Sequence, residues 1–430
     1  MATRLNSHDK DFLSVFASFV DAGRGDATNV GAAVAAIVDA VRAGGMAALA
    51  RYTQEFDRFD LTKETARVTE EDCARAETAC DADDLAALDL AAERIRAYHE
   101  KQLPKDVRYT DEAGVMLGWR WTAVEAAGLY APGGRAAYPS SVLMNAIPAK
   151  IAGVSRLCLC TPAPDGKTNP LALAAAKRAG VDEIWRVGGA QAIAAMAYGA
   201  GPIRPVDMIA GPGNAYVAEA KRQVFGDVGI DSVAGPSEIL VVADADNNPA
   251  WIAADLISQA EHDPSSQAVL MTDDAAFADR VADAVKAQLE SNPRREIAAA
   301  AWENNSAIIV LTALDEAPAL VNRIAPEHLE LAVAEPEALL EKVRHAGAVF
   351  LGRHTPEAVG DYVAGPNHVL PTARAARFSS GLSVIDFMKR MSIIGCDPAG
   401  LRKIGPAAAR LADAEGLPAH AASIRMRIKK

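Results

Sequence analysis

Between about residue 128 and residue 351 the chain alternates short apolar runs with longer stretches of helical periodicity, and few folds accommodate that rhythm. The runs at 157–161, 184–187, 207–210, 239–243, 268–272, 307–312 and 348–351 are rich in β-branched or aliphatic residues, the pattern of strands buried on both faces. Segments 171–179, 190–198, 215–224, 251–261, 275–290 and 337–345 read as the helices between them. This predicts βαβ units, parallel sheets with helices on both faces, and enough strands for two α/β units. Residues 1–60 read as helices, with 32–41 broken at Gly44-Gly45, and 83–102 read as an amphipathic helix ending before Pro104. Residues 382–430 form a separate tail, with helices near 406–412 and 418–423. Its end alternates Ile424, Met426 and Ile428 with Arg425, Arg427 and Lys429, which predicts a short edge strand.

Charge narrows the function classes. Acidic residues outnumber basic ones 56 to 44, for a formal net charge of −12, so nucleic acid is not an expected partner. No run of 18 apolar residues is read, so no membrane span is expected. The first residues include Arg4, His8, Asp9, Lys10 and Asp11, unlike a secretory signal, and the expected location is the cytoplasm. The five cysteines form no regular framework; Cys158 and Cys160 are expected in a buried strand, not in a zinc site.

Three glycine-rich turns fall at the carboxyl ends of expected strands, where parallel sheets bind ligands. They are Gly128-Leu-Tyr-Ala-Pro-Gly-Gly134, Val187-Gly-Gly-Ala-Gln191 and Ala210-Gly-Pro-Gly-Asn-Ala-Tyr216. Each leads into a helix whose N-terminal N–H groups suit a pyrophosphate. None is a full G-x-G-x-x-G, and each alone is ordinary turn chemistry; together they put a nucleotide on an equal footing with that plainer reading.

Four further segments carry metal or proton chemistry. Asp255, Ser258, Gln259 and His262 share one face of the 251–261 helix, so Gln259 and His262 can reach one ion, although a solvated face is the plainer reading. In Ala325-Pro-Glu-His-Leu-Glu330, Pro326 is expected in a first helical turn, with Glu327 and His328 beside it as an acid–base pair or a simple cap. The loop Gly360-Asp-Tyr-Val-Ala-Gly-Pro-Asn-His368 offers Asp361, Asn367 and His368. Glu415 and His420 lie five apart in the tail.

These residues carry a resemblance. The segment Ile230-Asp-Ser-Val-Ala-Gly-Pro-Ser-Glu-Ile-Leu240 followed by Leu256-Ile-Ser-Gln-Ala-Glu-His-Asp263 resembles the signature of histidinol dehydrogenases. The three turns, Arg323-Ile-Ala-Pro-Glu-His-Leu329, and Asp361 through His368 with Phe378-Ser-Ser-Gly-Leu-Ser-Val384 resemble that family in the same order. The resemblance implies a homodimer with shared active sites, oxidising L-histidinol to L-histidine through the aldehyde with two NAD and one water. It implies one zinc per subunit on Gln259, His262, Asp361 and His420, with Glu327 and His328 as general bases. NAD would meet Tyr130, Gln191 and Asn214. The substrate would meet Ser237, His328, His368, Glu415 and the metal ligands. It also implies two incomplete Rossmann-like α/β domains, 28–129 with 239–381 and 130–238, plus a helical extension at 1–27 and an extension at 382–430 that packs on the partner subunit.

Two rival readings use the same residues. One is a related NAD-dependent dehydrogenase of another small polar alcohol. The other is a zinc hydrolase in which Glu327 activates water without a cofactor, a reading that leaves the glycine turns without a task.

Overall fold

The computed structural model describes residues 2–22, 30–133, 138–233 and 235–428. Two all-parallel sheets dominate it. The first runs, edge to edge, Glu183–Arg186, Arg156–Thr161, Ala126–Tyr130, Met208–Ala210 and Gly229–Ile230. The second runs Thr3–Asn6, Ala307–Val310, Gln267–Thr272, Glu238–Ala243, His328–Ala332 and Ala348–Leu351. With strands counted in chain order inside each sheet, both read 3-2-1-4-5, and Thr3–Asn6 is added outside the third strand of the second. Each sheet therefore has a switch point between its first and fourth strands, where the order of strands reverses.

Local sequence explains the regularity. Ala126–Tyr130 and His328–Ala332 are buried along their whole length, as strands covered on both faces must be. The helices between strands start on side-chain caps: Asn169 accepts from the Ala172 N–H, Asn248 from Ala250 and Asp274 from Phe277. Pro170 and Pro249 take the first helical turn, where a missing N–H costs nothing.

Several sequence expectations are corrected. Thr3–Asn6 is a strand paired to Ala307–Val310, not part of a helical extension; four residues are too few to show a period. The helices Gly31–Asp57, Glu70–Ala79 and Ala82–His99 pack on the helices of the five-stranded sheet, a packing that differs from grouping 28–129 with 239–381. Gly31–Asp57 is long and apolar enough to cross a membrane by length and composition alone, contrary to the expectation of no such stretch. Its Val34, Ile37, Val38 and Val41 are buried here against the Gly189–Tyr198 helix, and Gly45 is non-helical inside it.

The tail contributes Met388–Cys396 to a three-stranded antiparallel sheet with Val115–Ala123 and Val107–Thr110. A helical hairpin, Pro398–Ala414 and Pro418–Ile428, follows. The expected edge strand is thus helix as far as Ile428, while Lys429 and Lys430 lie outside the described residues. Ile424 and Ile428 alternate with arginine, but they are also i and i+4, and both close on Gly405 of the facing helix. A Cβ at Gly405 would come within 2.5 Å of Ile428 Cδ1. Packing chose the helical period over the alternating one.

Candidate active site

The glycine turns gather where the rule for parallel sheets places them. Tyr130 ends the first strand of the five-stranded sheet, and Gly211 follows the fourth, so the two flank the switch point. Tyr130 is buried, and its hydroxyl accepts the Gly189 N–H at 3.0 Å, which ties the first turn to the second. Burial raises the Tyr130 pKa, so the phenol stays neutral. Gly211 lies against the first turn: at φ +125° a Cβ there would sit 2.1 Å from the Tyr130 carbonyl oxygen, so only glycine fits. Asn214 caps the Ala215–Val224 helix, accepting from Tyr216 N–H at 3.1 Å and Val217 N–H at 3.2 Å, and is exposed at its mouth. Gln191 is buried, and its Oε1 has no hydrogen-bond partner among the described residues. Gly134 lies outside the described residues.

The second cluster sits at the amino ends of strands, not at the carboxyl ends anticipated for ligands. Ala325 adopts a left-handed conformation (φ 51°) that stops the Ala317–Ile324 helix. Pro326 therefore follows a helix end instead of opening one, and His328 is the first residue of a strand. That places His328 level with Ile239 and Ala348 on the neighbouring strands. The Pro249–Ala260 helix, which returns after the Glu238–Ala243 strand, ends at the same edge and delivers Gln259 and His262. Asp361, expected in a loop, lies in the short helix Glu357–Tyr362.

In its neutral form His328 is held in one tautomer. Its Nδ1 lies 3.0 Å from the Glu238 carbonyl oxygen, which can only accept, so Nδ1 carries the proton. Nε2 faces Asp361 Oδ1 at 3.6 Å and Glu357 Oε1 at 3.7 Å, too long for hydrogen bonds, and it has no such partner among the described residues. Burial alone would lower the His328 pKa, but Glu327, Asp361 and Glu357 outweigh it and raise it to about 10. Glu327 is buried beside Nδ1 at 3.7 Å, and its Oε2 accepts the Glu238 N–H at 2.9 Å. Burial pushes its pKa up to about 8. Burial also works on Asp361, but His328 and His368 override it and hold the carboxyl at about 2.

The structure adds groups that the sequence reading missed. Glu357, 2% exposed, has a pKa raised to about 7 by burial and receives a hydrogen bond from Ser258 Oγ at 3.1 Å, with Gln259 close enough to oppose that rise. Glu330 accepts the Glu357 N–H at 2.6 Å, and Glu238 supplies the carbonyl under His328. Spacing contained part of this: Glu357 and Asp361 are i and i+4, and His328 and Glu330 are i and i+2 on a strand.

The other predicted residues divide. His368 packs on the site: its Nδ1 donates to the Asp361 carbonyl at 2.8 Å, and its Nε2 lies 3.1 Å from Ser141 Oγ, on the helix that follows Tyr130. Asn367 joins the same two elements by donating from Nδ2 to the Met144 carbonyl at 2.6 Å. Gln259 is buried, and exposed His262 at the rim feels the charge of Asp361. Ser237 is half-buried one residue before Glu238. Glu415 and His420 are not brought to this cluster: both are exposed at the turn of the tail hairpin, which packs on itself and on Met388–Cys396.

His328, Glu357 and Asp361 present ligand atoms that all lie within 4.8 Å of one another. Glu357 Oε1 is buried without a hydrogen-bond partner among the described residues. Asp361 and the unpartnered Glu357 oxygen, with Gln259 and His262 delivered to the same edge, offer the oxygen and nitrogen donors that a divalent cation takes, with His328 facing them.

The family model for histidinol dehydrogenase matches residues 21–428. A histidinol dehydrogenase of Ruegeria pomeroyi is 59% identical, the alignment covering 99% of this chain and 98% of that one. One of Caulobacter vibrioides is 60% identical over 98% and 97%. The crystal structure of histidinol dehydrogenase from Elizabethkingia anophelis superposes with a TM-score of 0.94 at 36% identity, covering 99% of this chain and 98% of that one. A full-length family match, relatives near 60% identity and a shared fold agree, and the chain belongs to the histidinol dehydrogenase family.

Proposed function

We propose that this chain oxidises L-histidinol to L-histidine by way of L-histidinaldehyde, with two NAD and one water consumed per turnover. The observation that carries this reading is His328: a buried imidazole fixed at Nδ1, with an unpartnered Nε2 turned toward acidic groups at the amino ends of the strands. In the first oxidation Nε2 takes the hydroxyl proton of the substrate while hydride leaves the same carbon. Glu327, adjacent and more acidic than His328, takes a proton from the water that adds to the aldehyde. Two bases of different strength suit two successive proton removals. Bound NAD accepts each hydride.

Gln259, His262 and Asp361, with His420 supplied by a second copy of the chain, would hold one zinc per subunit. Bound zinc supplies a cationic anchor for the amine and imidazole nitrogens of the substrate. Ser237, His368 and Glu415 orient that substrate, and Tyr130, Gln191 and Asn214 meet NAD. His262→Asn should lower zinc content by at least about tenfold and weaken histidinol binding in proportion. Metal analysis and calorimetric titration check this; normal zinc and normal binding in that variant would remove the ligand assignment.

Two observations support a homodimer with shared sites. Glu415 and His420 lie exposed on the hairpin, away from His328. Nearby Met391, Ile394, Leu411 and Met426 are 48–75% exposed, an apolar surface suited to a partner. A molar mass of one chain in sedimentation at working concentration would contradict it. We place the enzyme in the cytoplasm, in keeping with its free cysteines.

A further inference from the structure

Lys221 is a buried cation that the chemistry above does not use. It is 2% exposed and lies on the Ala215–Val224 helix, two turns below the capping residue Asn214. Its Nζ donates to the Gly211 carbonyl at 3.0 Å and pairs with Asp231 Oδ1. Asp231 is equally buried, with its side chain 4% exposed. Its Oδ2 accepts the Gly211 N–H at 2.8 Å, and its own N–H donates to the Ile209 carbonyl at 3.1 Å. One ion pair thus grips both polar groups of Gly211, the residue that opens the third glycine turn.

Gly211 has no slack on its other side, where the Tyr130 backbone leaves no room for a Cβ. The turn is clamped between Tyr130 and the ion pair, and Asn214 at its far end opens the helix. A buried ion pair is a poor way to gain stability, because desolvation of both charges offsets their attraction; two apolar side chains of similar size would hold helix to sheet as well. What an ion pair gives and a leucine does not is direction: one hydrogen bond on each of the two peptides that flank Gly211, which fixes their orientation.

We propose that Lys221 and Asp231 are positioning residues for the dinucleotide: they fix the Gly211–Asn214 turn so that Asn214, which caps the Ala215–Val224 helix, is presented to NAD. This rests on the reading that NAD occupies the glycine turns. Neither side chain touches the cofactor; both act through Gly211.

The test compares Asn214→Ala, Lys221→Met and the double variant Lys221→Met with Asp231→Leu in the full-length enzyme. The double variant leaves no orphaned buried charge, so it keeps its fold even if the single one does not. In it the KM for NAD and the dissociation constant of NADH rise about tenfold or more. The KM for histidinol and kcat at saturating NAD stay within about twofold, a split that general loosening of the fold does not produce. Wild-type NAD affinity in the folded double variant, with weakened NAD in Asn214→Ala, overturns the role of the pair and leaves the NAD placement standing. Unchanged NAD affinity in all three overturns the placement, and the inference with it. Equal losses for NAD and histidinol make the pair merely structural and also overturn it.

Discussion

His328→Asn is expected to fold, keep its metal, and lose about 10²–10⁴-fold in turnover. The loss follows from a proton that has to go somewhere. Taking water's 15.7 as a stand-in for the substrate alcohol, the gap to an ordinary histidine is roughly nine pKa units, or about 12 kcal/mol for full deprotonation. Raising His328 to about 10 narrows the gap to roughly six units. The same rise leaves only about one His328 in a thousand unprotonated at pH 7. A stronger base that is rarely free gains nothing at neutral pH, so kcat/KM should climb from pH 7 toward pH 10. Asparagine keeps a donor for the Glu238 carbonyl, so the fold and the pocket survive while the base is gone. Steady-state assays from pH 6 to 10 check this: a variant within threefold of the parent, or one that keeps the alkaline rise, removes His328 as the base.

The second large effect concerns Glu327→Gln. Conversion of aldehyde to acid should fall about 10²-fold or more, because the water that adds to the aldehyde loses its base. Oxidation of the alcohol should respond differently. Glu327 is the largest influence raising the His328 pKa, and removing its negative charge makes protonated His328 less stable. The His328 pKa therefore drops, and the acid limb of alcohol oxidation moves to lower pH. Assays started separately from histidinol and from histidinaldehyde measure the two halves. Equal losses in both, or a limb displaced to higher pH, would contradict the division of labour.

The sequence made the fold legible wherever burial was two-sided. Continuous apolar strands, Pro and Asn at helix starts and glycines at turns each name their element without help from distant residues. It misled where one local signal has two meanings. Pro326 reads equally as the start of a helix or as the residue after one, and only the left-handed Ala325 decides. Ile424, Met426 and Ile428 fit a period of two as well as contacts four apart, and Gly405, 19 residues earlier, selects the second.

Within the site, legibility followed the same line. Gln259, His262, Glu327, His328, Asp361 and His368 stand in compact, unusual segments, and these meet at one edge of the six-stranded sheet. Glu238, Glu330 and Glu357 went unread because a lone glutamate resembles a solvated surface residue until a strand register buries it. Glu415 and His420 are the reverse: named from resemblance, and set by this chain alone on an exposed turn.

On the proposed function, one active site performs two oxidations beside one metal. Zinc content and NADH yield, measured on the same purified preparation with histidinol limiting, test it most directly. About one zinc per chain and about two NADH per histidinol are the predicted result. About one NADH per histidinol with aldehyde accumulating, or full turnover by enzyme stripped of metal, would contradict it.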